Sequence, residues 1–178
     1  PLGLSPREFV IPNGIEWSEF DPPPAPSAFR RAHGIDAEAP LVVFLSRLHY
    51  KKGIELLLPA FARAAAPEAR LALCGPGEAD YVQSLKRIAA DLGLADRVLL
   101  PGMIKGRARL EALADADVFC LPSYQENFGV AVVEAAGVGT AVLISDQVNV
   151  CDEVAAAGAG EVTPCAVEPL TQKLRAML

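Results

Sequence analysis

From residue 40 onward the chain alternates between short apolar runs and longer segments of helical periodicity. LVVFLS precedes GIELLLPAFARAA, LALCG precedes YVQSLKRIAADLG, and RVLLPG precedes ARLEALADA. DVFCLPS is then followed by GVAVVEAAGVG, AVLIS by NVCDEVAAAG, and GEVTP by AVEPLTQKLRAML. The short runs are apolar rather than alternating, which indicates strands buried on both faces. Strands that alternate with helices through short connections make right-handed crossovers and a parallel sheet covered on both sides. The expected fold class is therefore α/β, a doubly wound parallel sheet of six strands.

Upstream of that rhythm, residues 1–20 read as a connector that includes one short strand, FVIPNG. DPPPAPS at 21–27 is a loop, because proline fixes the backbone and removes donors. A short helix over 27–34 should close on Gly34. At 178 residues the chain fits one domain. No apolar run approaches the ~20 residues of a membrane span. The opening PLGLSPREF lacks the basic start and apolar stretch of a secretory signal, so none is expected.

The net charge of −6 argues against nucleic acid as a partner. An acidic domain can still bind an anion, through a few placed cations. Cys74, Cys120, Cys151 and Cys165 form no C-x-x-C motif and have no histidine at metal-ligand spacing. Cys74 and Cys120 lie in apolar runs and read as small hydrophobes. Free thiols suit a cytoplasmic location. His33 and His49 are isolated, so nucleophile–histidine hydrolysis has little support.

In a doubly wound sheet, ligands bind beyond the carboxyl ends of the strands. The loops that fall there hold the chain's unusual polar residues. The first, Ser46–Gly53, carries Arg47, Lys51 and Lys52 into a helix start. Cations are disfavoured beside a helix N-terminus unless an anion neutralises them, and a diphosphate would. A solvated loop with ordinary surface lysines is the other reading. The second loop carries Gly75 and Gly77, which would let backbone approach a ligand closely or simply form a tight turn. It is not the dinucleotide fingerprint, because position 80 is Asp.

The third loop, Pro122–Gly129, places Glu126 at a strand's carboxyl end, eight residues before Glu134. Glu134 lies in an otherwise apolar helix, where a carboxylate needs partners. Ribose hydroxyls would serve, and so would a core salt bridge, with Arg47 a candidate partner. Asp115-Ala116-Asp117 matches a metal-binding D-x-D string, but it precedes its strand instead of following it. It reads as a helix-to-strand turn at the edge opposite the ligand crevice.

Together these segments resemble glycosyltransferase family 4, of GT-B architecture. The matching stretches are VIPNGIE at 10–16, FLSRLHYKKGIELLLPAF at 44–61, LCGPGE at 73–78 and VLLPGMI at 98–104. They continue with ADVFCLPSYQENFGVAVVEAAGVGTAVLIS at 116–145 and run to Glu153. The most specific element is the E-x7-E pair, Glu126 and Glu134.

The resemblance implies a Rossmann-like domain that forms one half of a GT-B enzyme and binds a nucleotide diphosphate sugar. It implies that Arg47 and Lys52 hold the diphosphate, with Arg47, Lys52 and Glu126 at the reacting end. It assigns Glu126 and the backbone of Asn127, Phe128 and Gly129 to the donor sugar. Glu134 would bind the ribose, and Met103 and Ile104 the base. Gly75 and Gly77 belong to the same donor-binding set. The resemblance implies retention of anomeric configuration and no metal or other cofactor.

On this reading residues 1–20 are an interdomain connector and 21–178 the donor domain. The N-terminal acceptor domain and a C-terminal crossing helix are expected to be absent, so these residues alone should not transfer sugar. Association with the inner membrane face would then depend on the absent domain. Two departures bear on the sugar: Asn127 stands where glycine is frequent, and the loop after Ser145 reads DQVN without the Gly-Gly of many relatives. The alternatives are a GT-B-like nucleotide-sugar epimerase and a non-catalytic nucleotide-binding module.

Overall fold

A computed structural model describes residues 13–178. Its centre is a six-stranded, wholly parallel sheet. The strands are β1 (Leu41–Leu45), β2 (Arg70–Cys74), β3 (Val98–Gly102), β4 (Val118–Leu121), β5 (Ala141–Ser145) and β6 (Gly160–Thr163). Their order across the sheet is β3-β2-β1-β4-β5-β6. The helices are α1 (Ala28–His33), α2 (Ile54–Ala64), α3 (Ala79–Asp91), α4 (Arg107–Ala114), α5 (Val130–Gly137), α6 (Cys151–Ala157) and α7 (Val167–Met177). Helices α2, α3 and α7 pack together, as do α1, α4 and α5. The sheet is thus covered on both sides, as its apolar runs require.

Strand burial follows position. Phe44 of β1 and Phe119 of β4 are completely buried, with Phe61 of α2 beside them in the same core. β3 at the sheet edge is only half-buried and contains Pro101. An edge tolerates proline because one side of the strand needs no ladder donor. The part of the expected strand FVIPNG at 9–12 lies outside the described residues. Asn13 and Gly14 are not in a strand. Within the segment expected to be a connector, Trp17–Phe20 forms a 3-10 turn whose Phe20 ring lies against Gly137 of α5.

The D-x-D string is a structural knot at the amino edge of the sheet. Asp115 accepts from the backbone N–H groups of Ser27 and Arg30, at 2.7 and 3.0 Å, and so fastens the start of α1. Asp117 accepts from Arg30 Nη2 at 2.9 Å and from the Leu41 N–H at 2.7 Å. The buried Arg30 also donates to the carbonyls of Asp36, Ala39 and Asp115. Among the described residues no cluster of His, Cys, Asp and Glu could hold a metal ion. No helix among them is long and apolar enough to cross a membrane.

Replacing Asp117 with alanine strands the Leu41 N–H and leaves Arg30 short of its counter-charge. It should cost about 2–3 kcal/mol, the scale of a lost charged hydrogen bond at a buried partner. Denaturant melts check this. Recovery of stability on adding Mg²⁺ or Mn²⁺ to the wild type, but not to the variant, would instead mark the string as a metal ligand.

Candidate functional site: a cationic crevice at the β1–β4 junction

The strand order reverses at β1. Chain leaving β1 turns toward β2, and chain leaving β4 turns toward β5, which opens a crevice between their carboxyl ends. Four contacts bring the bordering loops close. The Leu48 N–H donates to the Pro76 carbonyl at 2.7 Å, and the Tyr124 N–H to the Lys51 carbonyl at 2.8 Å. Gly53, at φ +67°, passes so close to Pro122 that an added Cβ would sit 2.0 Å from its carbonyl oxygen. Gly75, at φ +145°, similarly leaves no room, with Ser46 O 1.8 Å from a would-be Cβ.

Gly75 and Gly77 make a close approach to the β1–α2 loop. At Gly77 the obstacle is Leu48. Both glycines fix the loop that carries Arg47.

His49 caps the 3-10 turn Tyr50–Lys52, its Nδ1 accepting from the Lys51 N–H at 3.3 Å. The turn sends Lys52 inward and leaves Lys51 outside. Lys52 is buried and its Nζ donates to Glu126 Oε2 across the junction. Arg47 and Lys51 are exposed at the rim. A cleft of about 500 Å³ lies between, lined by Arg47, Lys51, Lys52, Gln125, Glu126 and Asn127, with His49 and Tyr50. Three cations face one carboxylate there, a local excess of positive charge in a chain whose net charge is −6.

A second cleft, of about 300 Å³, shares Glu126 and Asn127 with the first. Ser46, Phe128, Gly129, Val130 and Ala131 line it. Gly129 caps the start of α5 at φ 78°. The first N–H groups of a helix have no acceptor within it and present partial positive charge. The lysines thus border one cleft and the helix terminus its neighbour, with Glu126 and Asn127 common to both.

Arg47, Lys52, Glu126, Asn127, Phe128 and Gly129 meet at these clefts. Gly75, Gly77, Met103, Ile104 and Glu134 do not line them. Met103, 54% exposed, and Ile104, partly packed on the core, follow β3 at the same carboxyl edge. Glu134 lies one helical turn beyond Val130 and is buried.

The partner of Glu134 is Arg109 of α4, at 2.9 Å, and not Arg47. The same Arg109 nitrogen also pairs with Glu19 of the connector turn. Burial pushes the Glu134 carboxyl above its ordinary range; Arg109 pulls it down and Glu19 pushes it up. Nothing in the E-x7-E spacing points to Arg109. The available signal was two arginines, 107 and 109, in the first turn of α4 with no acid beside them. Arg47 and the lysines that follow it show the same anomaly at a helix start.

The thiols of Cys74 and Cys120 are buried inside strands; burial pushes Cys74 up to about 12 and Cys120 higher still. Neither supplies a thiolate.

A parallel sheet of this order, with a cationic crevice at its reversal, belongs to the Rossmann-like domains of GT-B glycosyltransferases, and solved structures agree. Sucrose-phosphate synthase from Thermosynechococcus elongatus superposes with a TM-score of 0.79 at 28% identity, covering 94% of this chain and 42% of that one. HepE of Anabaena in complex with UDP does so with a TM-score of 0.80 at 25% identity, covering 92% and 46%.

Residues 27–178 match the family model of glycosyl transferases group 1, and the chain belongs to that family. It is 32% identical to an uncharacterized glycosyltransferase of Methanocaldococcus jannaschii over 145 residues, 80% of this chain and 34% of the relative. It is also 32% identical to a D-inositol 3-phosphate glycosyltransferase of Xylanimonas cellulosilytica over 144 residues, 77% of this chain and 34% of the relative. The chain spans about a third of the length of these curated relatives.

The Lys52–Glu126 pair is mostly withdrawn from solvent, with side chains 10% and 20% exposed. Lys52→Met and Glu126→Gln should each lower stability by about 1–3 kcal/mol, because each leaves a shielded partner without its counter-charge. The double variant should lose less than the sum. Single losses that add to within about 0.5 kcal/mol would show that the two groups do not interact.

Proposed function

We propose that this chain is the donor-binding, C-terminal domain of a family 4 glycosyltransferase. It binds a nucleotide diphosphate sugar for retaining transfer to an acceptor held by an N-terminal domain, in the cytoplasm. The observation that carries this reading is the crevice itself, where a cleft lined by Arg47, Lys51 and Lys52 adjoins a cleft at the start of α5 through Glu126 and Asn127, in an otherwise acidic chain. A diphosphate is the anion whose size and charge suit it.

In this reading Arg47 and Lys52 hold the diphosphate, and the amides at Gly129 support it. Glu126, beside Asn127 and Phe128, takes sugar hydroxyls. Met103 and Ile104 lie where the base would meet main chain, and Glu134 accepts from the ribose. When the bond from the anomeric carbon to the phosphate oxygen breaks, its electron pair passes to the leaving diphosphate. Preplaced cations and helix amides stabilise that growing charge without reorganising, which is how a site lowers such a barrier. Holding the acceptor oxygen near the anomeric carbon supplies the remainder. No metal ion is required where fixed cations already face the leaving group.

Lys52→Ala should weaken binding of a nucleoside diphosphate about tenfold to a hundredfold, the worth of one charge-assisted contact. Binding of the corresponding nucleoside should change little. Calorimetric titration with UDP, GDP and ADP, each beside its nucleoside, makes the comparison and identifies the base. Equal losses for diphosphate and nucleoside would remove Lys52 from the phosphates and with it the main support for this reading.

A further inference from the structure

Glu134 raises a problem that the donor-binding reading leaves open. It is 7% exposed on a helix that offers no other polar side chain. A carboxylate so placed takes up a proton unless a counter-charge stands beside it, and a neutral acid is a poorer acceptor for sugar hydroxyls. Among the described residues, Arg109 is the cation at ion-pair distance from it, with Nη2 2.9 Å from Oε1. Arg107, two residues earlier on α4, is engaged elsewhere, with the carbonyls of Pro22 and Pro23 and with Glu111. Arg109 Nη2 also pairs with Glu19, so one cation serves two carboxylates.

The placement is suited to a ligand-facing task. Glu134 lies one turn along α5 from Val130 and Ala131, which line the cleft. Arg109 lies in the first turn of α4, directly after the Met103–Ile104 loop. The Arg109–Glu134 contact therefore joins the two elements to which the nucleoside is assigned. Glu19 reaches it from the connector, held down by Phe20 against Gly137.

We propose that Arg109 is the positioning residue for Glu134, holding its carboxylate charged and oriented for the donor's ribose, and that Glu19 opposes it by sharing the same guanidinium nitrogen. This rests on the assignment of Glu134 to the ribose.

Among the described residues, the groups facing Glu134 are Arg109 from α4 and Glu19 from the turn Trp17–Phe20; α5 itself adds none. Burial raises the Glu134 carboxyl, Arg109 lowers it and Glu19 raises it. The charged form is the one that binds, so affinity is held above the Glu134 pKa and lost as pH falls through it. Removing Arg109 moves that loss to higher pH, and removing the charge of Glu19 moves it to lower pH.

The test measures the Glu134 carboxyl titration by carbon-13 NMR in the wild type, R109M, R109K and E19Q. It then measures the affinity of each for UDP, GDP and ADP from mildly acidic to neutral pH. E134Q supplies the baseline, because its profile carries every ionisation except that of Glu134. Melting curves correct each affinity to folded protein.

R109M should move both midpoints upward, and its acid-side affinity should fall about tenfold for every pH unit that the midpoint rises. E19Q should move both downward, and R109K should recover part of the R109M loss. If R109M does not fold, R109K and E19Q retain the opposed pair of movements. Wild-type binding with a pH profile that neither variant moves relative to E134Q would overturn the positioning role and leave donor binding intact. Failure of the wild type to bind any of the three diphosphates would sink the donor-binding reading, and the ribose-positioning role with it.

Discussion

Everything in the crevice depends on β1 pairing with β2 on one side and β4 on the other. The pairing with β4 is between strands far apart in sequence, and it is secured at both ends. At the amino edge Asp117 takes the Leu41 N–H and the Arg30 guanidinium, so that the start of β4 holds the start of β1 and the helix α1 before it. At the carboxyl edge Gly53 sits against the Pro122 carbonyl, in a space that admits no side chain. Between them lies a fully buried ladder, Val42 with Val118 and Val43 with Phe119. The rigid frame lets a short loop on each strand carry a charge to a fixed place. A site built on such loops loses little order on binding, which is what electrostatic stabilisation of a leaving group needs.

The electrostatics of the crevice run against those of the whole chain. An acidic net charge disfavours a bound diphosphate at long range, but salt screens such effects over about 8–10 Å. Local geometry then decides. Lys52 is buried and ion-paired with Glu126, while Arg47 and Lys51 stay at the exposed rim. The result is a cation that is already desolvated and already oriented.

Much of this was legible in the sequence because periodicity and burial are local properties. Apolar runs of strand length, spaced by helical segments, determined both the strand count and the parallel arrangement. The loops were found by the same logic, since polar residues that buried strands do not need stand out at their carboxyl ends. Less legible were contacts that depend on three dimensions. A glycine announces only that a side chain is unwelcome. What Gly75 excludes is the Ser46 backbone, a fact of loop packing that spacing does not encode. The 3-10 turn Trp17–Phe20 was not legible, and its grip on α5 rests on Phe20 meeting Gly137, more than a hundred positions away. The partner of Glu134 escaped for the same reason, because α4 and α5 are separated in sequence by a whole strand and loop.

Three paired carboxylates occupy the two opposite edges of the sheet. Asp117, Glu126 and Glu134 each meet a cation, Arg30, Lys52 and Arg109 respectively. Charge and spacing alone rank them equally. Position in the sheet does not. Asp117 lies at the amino edge, where strands begin, and its Oδ2 is already shared between a backbone N–H and Arg30. Glu126 and Glu134 follow β4 at the carboxyl edge, and their cations come from loops and helices that also start there. At that edge the pairing joins loops and helices that follow different strands. The same interaction that ties α1 to the sheet at one edge joins the loops and helices around the crevice at the other, and the direction of the strands decides which of the two it does.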